Sequence, residues 1–301
     1  MLKYSNRWSV MKQIYECLKE IADEHCWRYI PYEDGKLIQL VNREGKSIAI
    51  YEHYFPINSD TSARICDDRS LQYRLLSQAQ IPCDENIKFK FTSESRIVND
   101  LEPFLSQFGS LVIKSNYRRD KFITRISNIR ELEDFAHKNN TFHSVLVNRY
   151  VNYEHFYSVY MVNGIVELAF EYIKPQVIGD GQSAVWELLS RANICDYDSD
   201  IDLNRVLNSG EVLITSWRIK SPESKHAIIA ESVLMQKLAS LAIASARVIG
   251  VMSGTIDIYV QNDKLFVQSI DTSLNADMLL SEPENKMLVK RLYEKALRLL
   301  L

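Results

Sequence analysis

Two segments place charged residues at the ends of apolar strands. Residues 111–126 read LVIKSNYRRDKFITRI, which predicts a short strand ending in Lys114, a basic stretch and a second, alternating strand. Residues 254–271 read GTIDIYVQNDKLFVQSID, two strands joined by a polar turn, with Asp257 and Asp271 near their outer ends. A lysine at the end of a buried strand is rare without an anion partner, so Lys114 is a candidate anion-binding residue. The alternative is a strand-end lysine that reaches solvent.

Other catalytic patterns are absent from the sequence. The six histidines show no HExxH or HxxxH spacing, which argues against a zinc hydrolase. There is no GxSxG nucleophile elbow and no Walker phosphate loop. The five cysteines are scattered and form no CxxC pair, so we expect reduced thiols in a cytoplasmic protein rather than disulfides or a zinc site.

The composition is that of an ordinary globular protein. The chain has 301 residues, of which 46% are hydrophobic and 25% charged, and its net charge is −3. This near-neutral balance provides no general electrostatic case for binding nucleic acid or membrane, so we expect neither as a partner. No apolar run approaches the roughly 20 residues that span a bilayer. The N-terminus lacks the apolar region of a secretory signal.

Periodicity predicts the elements that must position these residues. Helical spacing and alternation predict an α+β protein with largely antiparallel sheets, and Asn163-Gly164 is a strong hairpin turn. The predicted helices are 7–24, 68–80, 97–107, 129–138 (opened by Ser127 or Asn128), 183–192, 225–249 and 283–300. The predicted strands are 86–91, 110–114, 121–126, 144–151, 156–162, 165–173, 211–219, a hairpin around Arg43-Glu44-Gly45, and the hairpin 254–271.

From about residue 56 to 280, the order of elements resembles the ATP-grasp ligases. The similarity is greatest to the amino-acid ligase branch, such as cyanophycin synthetase and the ATP-grasp half of bifunctional glutathione synthetase. It is carried by residues 111–126 and by PINSDTSARICDDRSLQYRLLSQAQIPCDENIKF, KPQVIGDGQSAVWELLSRAN and ARVIGVMSGTIDIYVQNDKLFVQSID. The resemblance implies two α+β subdomains with a nucleotide cleft between antiparallel sheets.

The resemblance also implies a domain division. Residues 1–58 would form a short N-terminal helix and hairpin region, and residues 59–301 the ATP-grasp domain. Within the latter, 110–153 would be a smaller, lid-like subdomain, and 154–301 the subdomain that binds metal and nucleotide.

Four residues match nucleotide-binding positions of the family. Lys114 would contact phosphate, and Arg69 stands where a second phosphate-binding lysine is usual. Asn148 lies in the strand that leads to the adenine, and the family favours an acid where Asn148 or Arg149 stands here. Glu154 would bind the ribose hydroxyls if the register slips by one residue. Exposed charge is the alternative for Arg69.

The implied metal ligands lie on the 254–271 hairpin. Asp257 matches the family's first carboxylate, whereas Ser269 replaces a glutamate and Asp271 an asparagine. Magnesium prefers carboxylate, phosphate and water oxygens, so two carboxylates could still hold one Mg²⁺ with ATP. The alternative is that both aspartates are remnants of an unused site.

Other basic residues match the family's catalytic region. Lys174 and Arg218 (or Lys220) stand where the family keeps cations near the γ-phosphate and acyl phosphate. For Lys220 we expect a solvated loop charge. The loop after Lys114 lacks the family's glycines, and its cations could replace amide donors or form a solvated hairpin tip; they are Arg118, Arg119 and Lys121.

Two functions follow from the resemblance. The first is an ATP-dependent carboxylate–amine ligase with ATP and Mg²⁺ as cofactors, acting through an acyl phosphate on an amino acid or short peptide. The second is a catalytically degenerate ATP-grasp protein that serves as a regulatory or binding partner in a ligase or peptide-modifying assembly. Retention of Lys114 and Asp257 favours the first, and Ser269 and the lost glycines favour the second. A homo-oligomer or a partner protein is left open.

Overall fold

The computed structural model describes residues 5–32, 36–90, 94–117, 122–139, 144–220, 223–280 and 282–301, with the backbone alone for 5–13, 94 and 95. Its helices are α1 (Ser5–Glu24), α2 (Asp60–Asp67), α3 (Arg69–Gln78), α4 (Glu94–Phe108), α5 (Ile129–Lys138), α6 (Val185–Arg191), α7 (Val233–Ile249), α8 (Asp277–Leu280) and α9 (Lys286–Leu300). Its strands are β1 (Arg28–Tyr32), β2 (Leu37–Val41), β3 (Ser47–Tyr51), β4 (Ile87–Phe89), β5 (Leu111–Ser115), β6 (Ile123–Ile126), β7 (Val145–Arg149), β8 (His155–Val162), β9 (Ile165–Ile173), β10 (Gln176–Ile178), β11 (Val212–Ile214), β12 (Lys225–Ile228), β13 (Gly254–Gln261) and β14 (Lys264–Asp271).

A five-stranded antiparallel sheet, ordered β12-β9-β8-β13-β14, forms the centre of the molecule. Asn163 and Gly164 connect β8 to β9 with φ values of 51° and 76°. Asn262 and Asp263 connect β13 to β14 with φ values of 50° and 58°. Both turns need residues that tolerate positive φ, and Asn, Asp and Gly do so most readily. These two hairpins, and the one predicted around Arg43-Glu44-Gly45, are confirmed.

β13 and β14 approach each other closely at Gly254. A Cβ atom at this position would lie 1.9 Å from the backbone carbonyl oxygen of Asp271, so only glycine fits. In the resulting register, Thr255 lies opposite Asp271, and Asp257 lies opposite Ser269. Because alternate residues of a strand share a face, these four side chains lie on one face of the sheet.

The opposite face of the sheet is covered by helices α2, α3 and α7. Their apolar residues form one hydrophobic cluster with sheet residues such as Ile256 and Ile270. Helix α7 begins after the N-cap Ser232, whose hydroxyl accepts from the Met235 backbone, and ends at Gly250 with φ 79°. It is shorter than the predicted helix 225–249, because Lys225–Ile228 forms β12 and pairs with β9.

The face that carries Asp257 is packed against both chain termini. Buried residues of α1, the β1-β2-β3 sheet and α9 form one hydrophobic cluster with Tyr160 and Phe170 of the central sheet. Ion pairs join α1 to α9, with Lys286 2.6 Å from Glu20 and Lys290 2.5 Å from Glu24. The N-terminal helix and hairpin therefore share a core with the C-terminal helix.

A second, four-stranded sheet is ordered β4-β7-β5-β6 and is covered by α4 and α5. Asn128 caps α5, as predicted, by accepting from the Glu131 backbone. Because β4 pairs with β7, this sheet includes residues before position 110, which is where we expect the lid-like subdomain to begin. A small unit of β10, β11 and α6 has its own apolar cluster. Among the described residues, no helix is long and apolar enough to cross a membrane.

Candidate functional site

A cavity of about 390 Å³ lies where the four-stranded sheet meets the central sheet. The four-stranded sheet contributes Leu111, Val147 and Asn148, and the central sheet contributes Tyr259 and Phe266. This volume is within the range of small-molecule sites, and its walls combine apolar side chains with polar and charged ones, including Asp84 and Arg149. The predicted cleft between antiparallel sheets is therefore present.

Asn148 presents an unused acceptor at this cavity. Its Nδ2 donates to the backbone oxygen of Glu85 at 2.7 Å, which fixes the orientation of the amide. The residue is only 7% exposed, and its Oδ1 is buried without a hydrogen-bond partner in the described structure. Buried polar atoms are nearly always paired, so this oxygen, in a residue of the cavity wall, is a candidate acceptor for a ligand donor once the wall opens to it.

Lys114 lies beside a buried carboxyl group. Its Nζ donates to the hydroxyl of Tyr73 at 3.0 Å, and Tyr73 donates to the backbone oxygen of Gln268 at 2.5 Å. Burial raises the pKa of the Asp84 carboxyl, while the positive charge of Lys114 and a hydrogen bond from the Tyr259 hydroxyl oppose that rise. Lys114 is therefore half-buried close to Asp84, a residue of the cavity wall, rather than on an exposed strand end.

Arg69 is held near Lys114 by the end of β5. Its Nη1 donates to the backbone oxygen of Ser115 at 2.7 Å, one residue beyond Lys114. The N-cap Asp68 accepts from the backbone of α3 and from Asn116 Nδ2, which ties the start of α3 to the end of β5. The structure thus brings two of the predicted phosphate-binding residues together.

Three other candidates lie elsewhere. Glu154 is exposed and accepts from the Asn262 backbone at 2.8 Å, which supports the β13–β14 turn. Lys174 donates to Asn152 Oδ1 at 2.7 Å, and burial lowers its pKa. Arg218 is exposed and lies 3.7 Å from an Asp196 oxygen. None of Glu154, Lys174 and Arg218 lines the cavity described above or the one described next, and neither do Lys114 and Arg69.

A second cavity, of about 190 Å³, opens on the face of the central sheet that carries Asp257. Asp257 and Asp271 both line it, together with Lys220 and Ser158. The structure therefore brings the two predicted metal ligands to one place. Asp271 Oδ1 accepts from the Ser273 backbone at 3.0 Å.

The Asp257 carboxylate is fully engaged by protein donors. Oδ1 accepts from Ser158 Oγ at 2.6 Å and from Lys220 Nζ at 2.7 Å. Oδ2 accepts from the same Nζ at 2.7 Å and from Ser269 Oγ at 2.7 Å. Burial alone would raise the pKa of Asp257, but the charge and hydrogen bonds of Lys220 and the two serines outweigh it and hold the pKa below its ordinary value.

The expectation of a solvated loop charge at Lys220 holds only in part. Its ammonium group pairs with Asp257 and lies over the rings of Phe156 and Tyr172, 5.6 and 5.4 Å from their centroids. The side chain is partly exposed, as its loop position indicated, but its ammonium group reaches back to a buried anion. Ser158 was also missed, although a lone polar residue within the apolar strand HFYSVYMV could have indicated it.

The donor set fits a magnesium ion on one condition. Asp257 and Asp271 supply the hard oxygen ligands that Mg²⁺ prefers, and nucleotide phosphates usually supply others. An ionised carboxylate has about four lone-pair positions, and in Asp257 each of them already accepts a hydrogen bond. A metal ion can therefore bind Asp257 only if Lys220 moves away. Within the described part of the chain, no group of three or more His, Cys, Asp or Glu residues could hold a metal by itself.

The Gly179-Asp180-Gly181 loop has a structural role. Asp180 accepts from the backbone and hydroxyl of Ser183, from the Gln182 backbone and from Arg191, and these bonds hold its pKa well below the usual range. A Cβ atom on Gly179 would lie 2.2 Å from the Asn208 carbonyl oxygen. The cations of the loop after Lys114 lie outside the described residues; they are Arg118, Arg119 and Lys121.

Comparison with known proteins identifies the fold. The sequence matches no family model and no curated protein. D-alanine–D-alanine ligase from Bacillus anthracis has a similar structure, with 12% identity over 80% of this chain and 71% of that one, at a TM-score of 0.54. Its complex with ATP aligns at a TM-score of 0.51 and 13% identity, over 80% of this chain and 70% of the ligase.

A bifunctional glutathione synthetase from Pasteurella multocida is also similar. It aligns over 92% of this chain with 13% identity and a TM-score of 0.54, and this chain covers 43% of its length. These similarities confirm the predicted ATP-grasp fold. At such identities they establish the fold alone.

Proposed function

We propose that this protein is an ATP-dependent carboxylate–amine ligase. The observation that carries the proposal is a cavity large enough for a nucleobase that is lined by Asn148, with two cations nearby that do not line it. The acceptor is Asn148 Oδ1, and the cations are Lys114 and Arg69. In the proposed reaction, a substrate carboxylate attacks the γ-phosphorus of ATP, giving an acyl phosphate and ADP. An amine then attacks the acyl carbon and displaces phosphate.

The proposed nucleotide orientation follows from the polarity of the cleft. The exocyclic amine of adenine is a donor and suits Asn148 Oδ1, while Tyr259 and Phe266 offer apolar walls to the base. Lys114 and Arg69 would then face the phosphates, where cations stabilise the charge that builds up on the transferred group. Glu154 as a ribose ligand, and Lys174 and Arg218 as catalytic cations, stay predictions.

Asp257 and Asp271 are the proposed magnesium ligands. Magnesium, when bound, neutralises charge on the β- and γ-phosphates. Asp257 and Asp271 would hold the metal, and through it the phosphates, at this face of the central sheet. Lys114 and Arg69 would keep positive charge around the phosphates. Lys220 and the serines beside Asp257 orient that carboxylate before a ligand arrives.

The proposed substrates are an amino acid or short peptide carboxylate and an amine. The proteins that share the fold include a ligase of D-alanine with D-alanine and a glutathione synthetase, whose names indicate amino acids and a peptide. The proposed location is the cytoplasm, which agrees with five free cysteines. Neither nucleic acid nor membrane is a proposed partner.

One observation favours a second function, that of a non-catalytic regulator or binding partner in a ligase assembly. Lys220 occupies the Asp257 carboxylate, and Ser269 donates to it from the position where the family has a glutamate. If this arrangement is permanent, the fold keeps its nucleotide cleft without a working metal site.

Melting temperature with and without Mg·ATP tests the proposal. A ligand at about 100 times its dissociation constant stabilises a protein by about 2.7 kcal/mol, which gives a clear upward shift. GTP, which presents a carbonyl acceptor in place of the adenine amine, is the matched control and should shift the melting temperature less. An unchanged melting temperature at millimolar ATP would contradict nucleotide binding and hence the ligase.

A further inference from the structure

We infer that Lys220 is an internal counter-ion whose ammonium group occupies the place beside Asp257 where a metal ion would bind. A divalent cation therefore enters this site only in exchange for Lys220. The part of this inference that concerns nucleotide rests on the proposed function. The part that concerns metal and Lys220 does not. The consequence is an order of binding: the ligand-free protein excludes the metal, and phosphate groups allow it to enter.

The hydrogen bonds around Asp257 require exchange rather than addition. Lys220 Nζ lies 2.7 Å from each carboxylate oxygen, and each oxygen also accepts from a serine hydroxyl, Ser158 or Ser269. No lone-pair position is left for a metal ion. Magnesium needs ligand oxygens at about 2.0–2.1 Å in octahedral geometry, which is incompatible with an ammonium group on the same two oxygens.

The surroundings of Lys220 allow its ammonium group to move while the residue before it is held in the core. The preceding residue, Ile219, is 8% exposed within the large hydrophobic cluster, and its carbonyl oxygen accepts from Ser224 Oγ at 2.6 Å. The Lys220 side chain is 42% exposed, whereas the Asp257 side chain is 9% exposed. The cation can thus leave toward the open side of the cavity, but the carboxylate cannot follow it.

Charge explains why phosphate would trigger the exchange. An ammonium ion and a divalent cation repel each other within a cavity of about 190 Å³, so the metal alone must displace Lys220 without offering it a new partner. A phosphate chain offers Lys220 anionic oxygens and brings ligands for the metal at the same time. Asp271 lines the same cavity and supplies a second carboxylate.

The test uses Mn²⁺ as a spectroscopic substitute for Mg²⁺, with bound metal measured by electron paramagnetic resonance. The full-length protein is titrated with Mn²⁺ alone and with Mn²⁺ plus ATP. Lys220→Met should bind one Mn²⁺ without nucleotide at least about tenfold more tightly than wild type, because Asp257 then lacks its cation. Lys220→Arg, which keeps the charge, should exclude Mn²⁺ as wild type does. Adding Asp257→Asn to Lys220→Met should abolish the gain.

Two results would overturn the inference. One is tight Mn²⁺ binding by the wild-type protein without nucleotide, which needs no variant and so stands even if Lys220→Met fails to fold. The other is a folded Lys220→Met protein, checked by circular dichroism, that binds Mn²⁺ no better than wild type. Uptake of Mn²⁺ by the wild type when ATP is added supports both proposals. If Lys220→Met binds Mn²⁺ more tightly than wild type but ATP does not bind to either protein, the ligase proposal fails and the Lys220 inference stands.

Discussion

Lys220 Nζ lies 2.7 Å from both carboxylate oxygens of Asp257, although 36 residues separate them in the chain. The carboxylate is buried on the central sheet, and the lysine reaches it from the loop between β11 and β12. A buried carboxylate needs a compensating cation, and here the protein itself supplies one. Lys220 therefore stabilises the ligand-free protein and, in our proposal, also keeps other cations away from Asp257.

Removing Lys220 alone should destabilise the protein. Lys220→Met leaves Asp257 buried without a cation, and the free energy of unfolding should fall by about 2 kcal/mol, less than for a fully buried pair because the lysine is partly solvated. The double variant Lys220→Met with Asp257→Asn should recover most of this loss, because the serine hydroxyls can still bond to the amide. Urea unfolding of the four proteins of this cycle measures the coupling. Additive losses would show that the two residues do not depend on each other.

Replacing Asn148 should affect the base and not the phosphates. Asn148→Leu removes the unpaired acceptor at the larger cavity, and the affinity for ATP should fall about tenfold, as for one lost hydrogen bond. The affinity for tripolyphosphate, which has no base, should stay unchanged. Calorimetric titration with both ligands makes the comparison. Equal losses for the two ligands would mean that Asn148 does not contact the base.

Replacing Lys114 should weaken both ligands. Lys114→Met removes a charged donor from the cleft, and the affinities for ATP and for tripolyphosphate should both fall by about 10- to 100-fold. Lys90→Met, at an exposed lysine just after β4, is the matched control and should bind as wild type does. If the two substitutions behave alike, Lys114 has no specific role in phosphate binding.

Gly254 should not tolerate even one added methyl group. In Gly254→Ala the new Cβ would meet the Asp271 carbonyl at 1.9 Å, so β13 and β14 must separate, at a cost of about 3 kcal/mol in unfolding free energy. Gly45→Ala is the control, because nothing lies within 4 Å of a Cβ there and only its φ of 83° is strained, at about 1–2 kcal/mol. Chemical denaturation gives both values. A Gly254 variant as stable as the Gly45 variant would contradict the close approach of the strands.

Local chemistry explains which elements could be predicted from the sequence. The hairpins at Asn163-Gly164 and at 254–271 were predicted because turn residues and strand alternation are encoded within a few positions. β12 was taken for the start of a helix, since its strand character comes from pairing with β9 more than 50 residues earlier. The eight-residue helix α2 was not predicted, although Ser59 is a good N-cap.

The candidate site shows the same limit. Motif order brought Lys114, Asp257 and Asp271 forward, and the structure places the two aspartates in one cavity and Lys114 against Tyr73. The ion pair of Lys220 with Asp257 depends on tertiary packing, which no spacing in the sequence encodes. Asp84 likewise follows Pro82 in an ordinary-looking turn, and only the fold buries it beside Lys114.

ADP release, assayed with pooled amino acids and dipeptides, tests the ligase proposal most directly. We expect ADP and phosphate to appear in equal amounts when a carboxylate and an amine substrate are both present, and Lys114→Met and Asp271→Asn to lower the rate. A protein that binds Mg·ATP yet releases no ADP above background with any pool would contradict the ligase and leave the non-catalytic partner as the function.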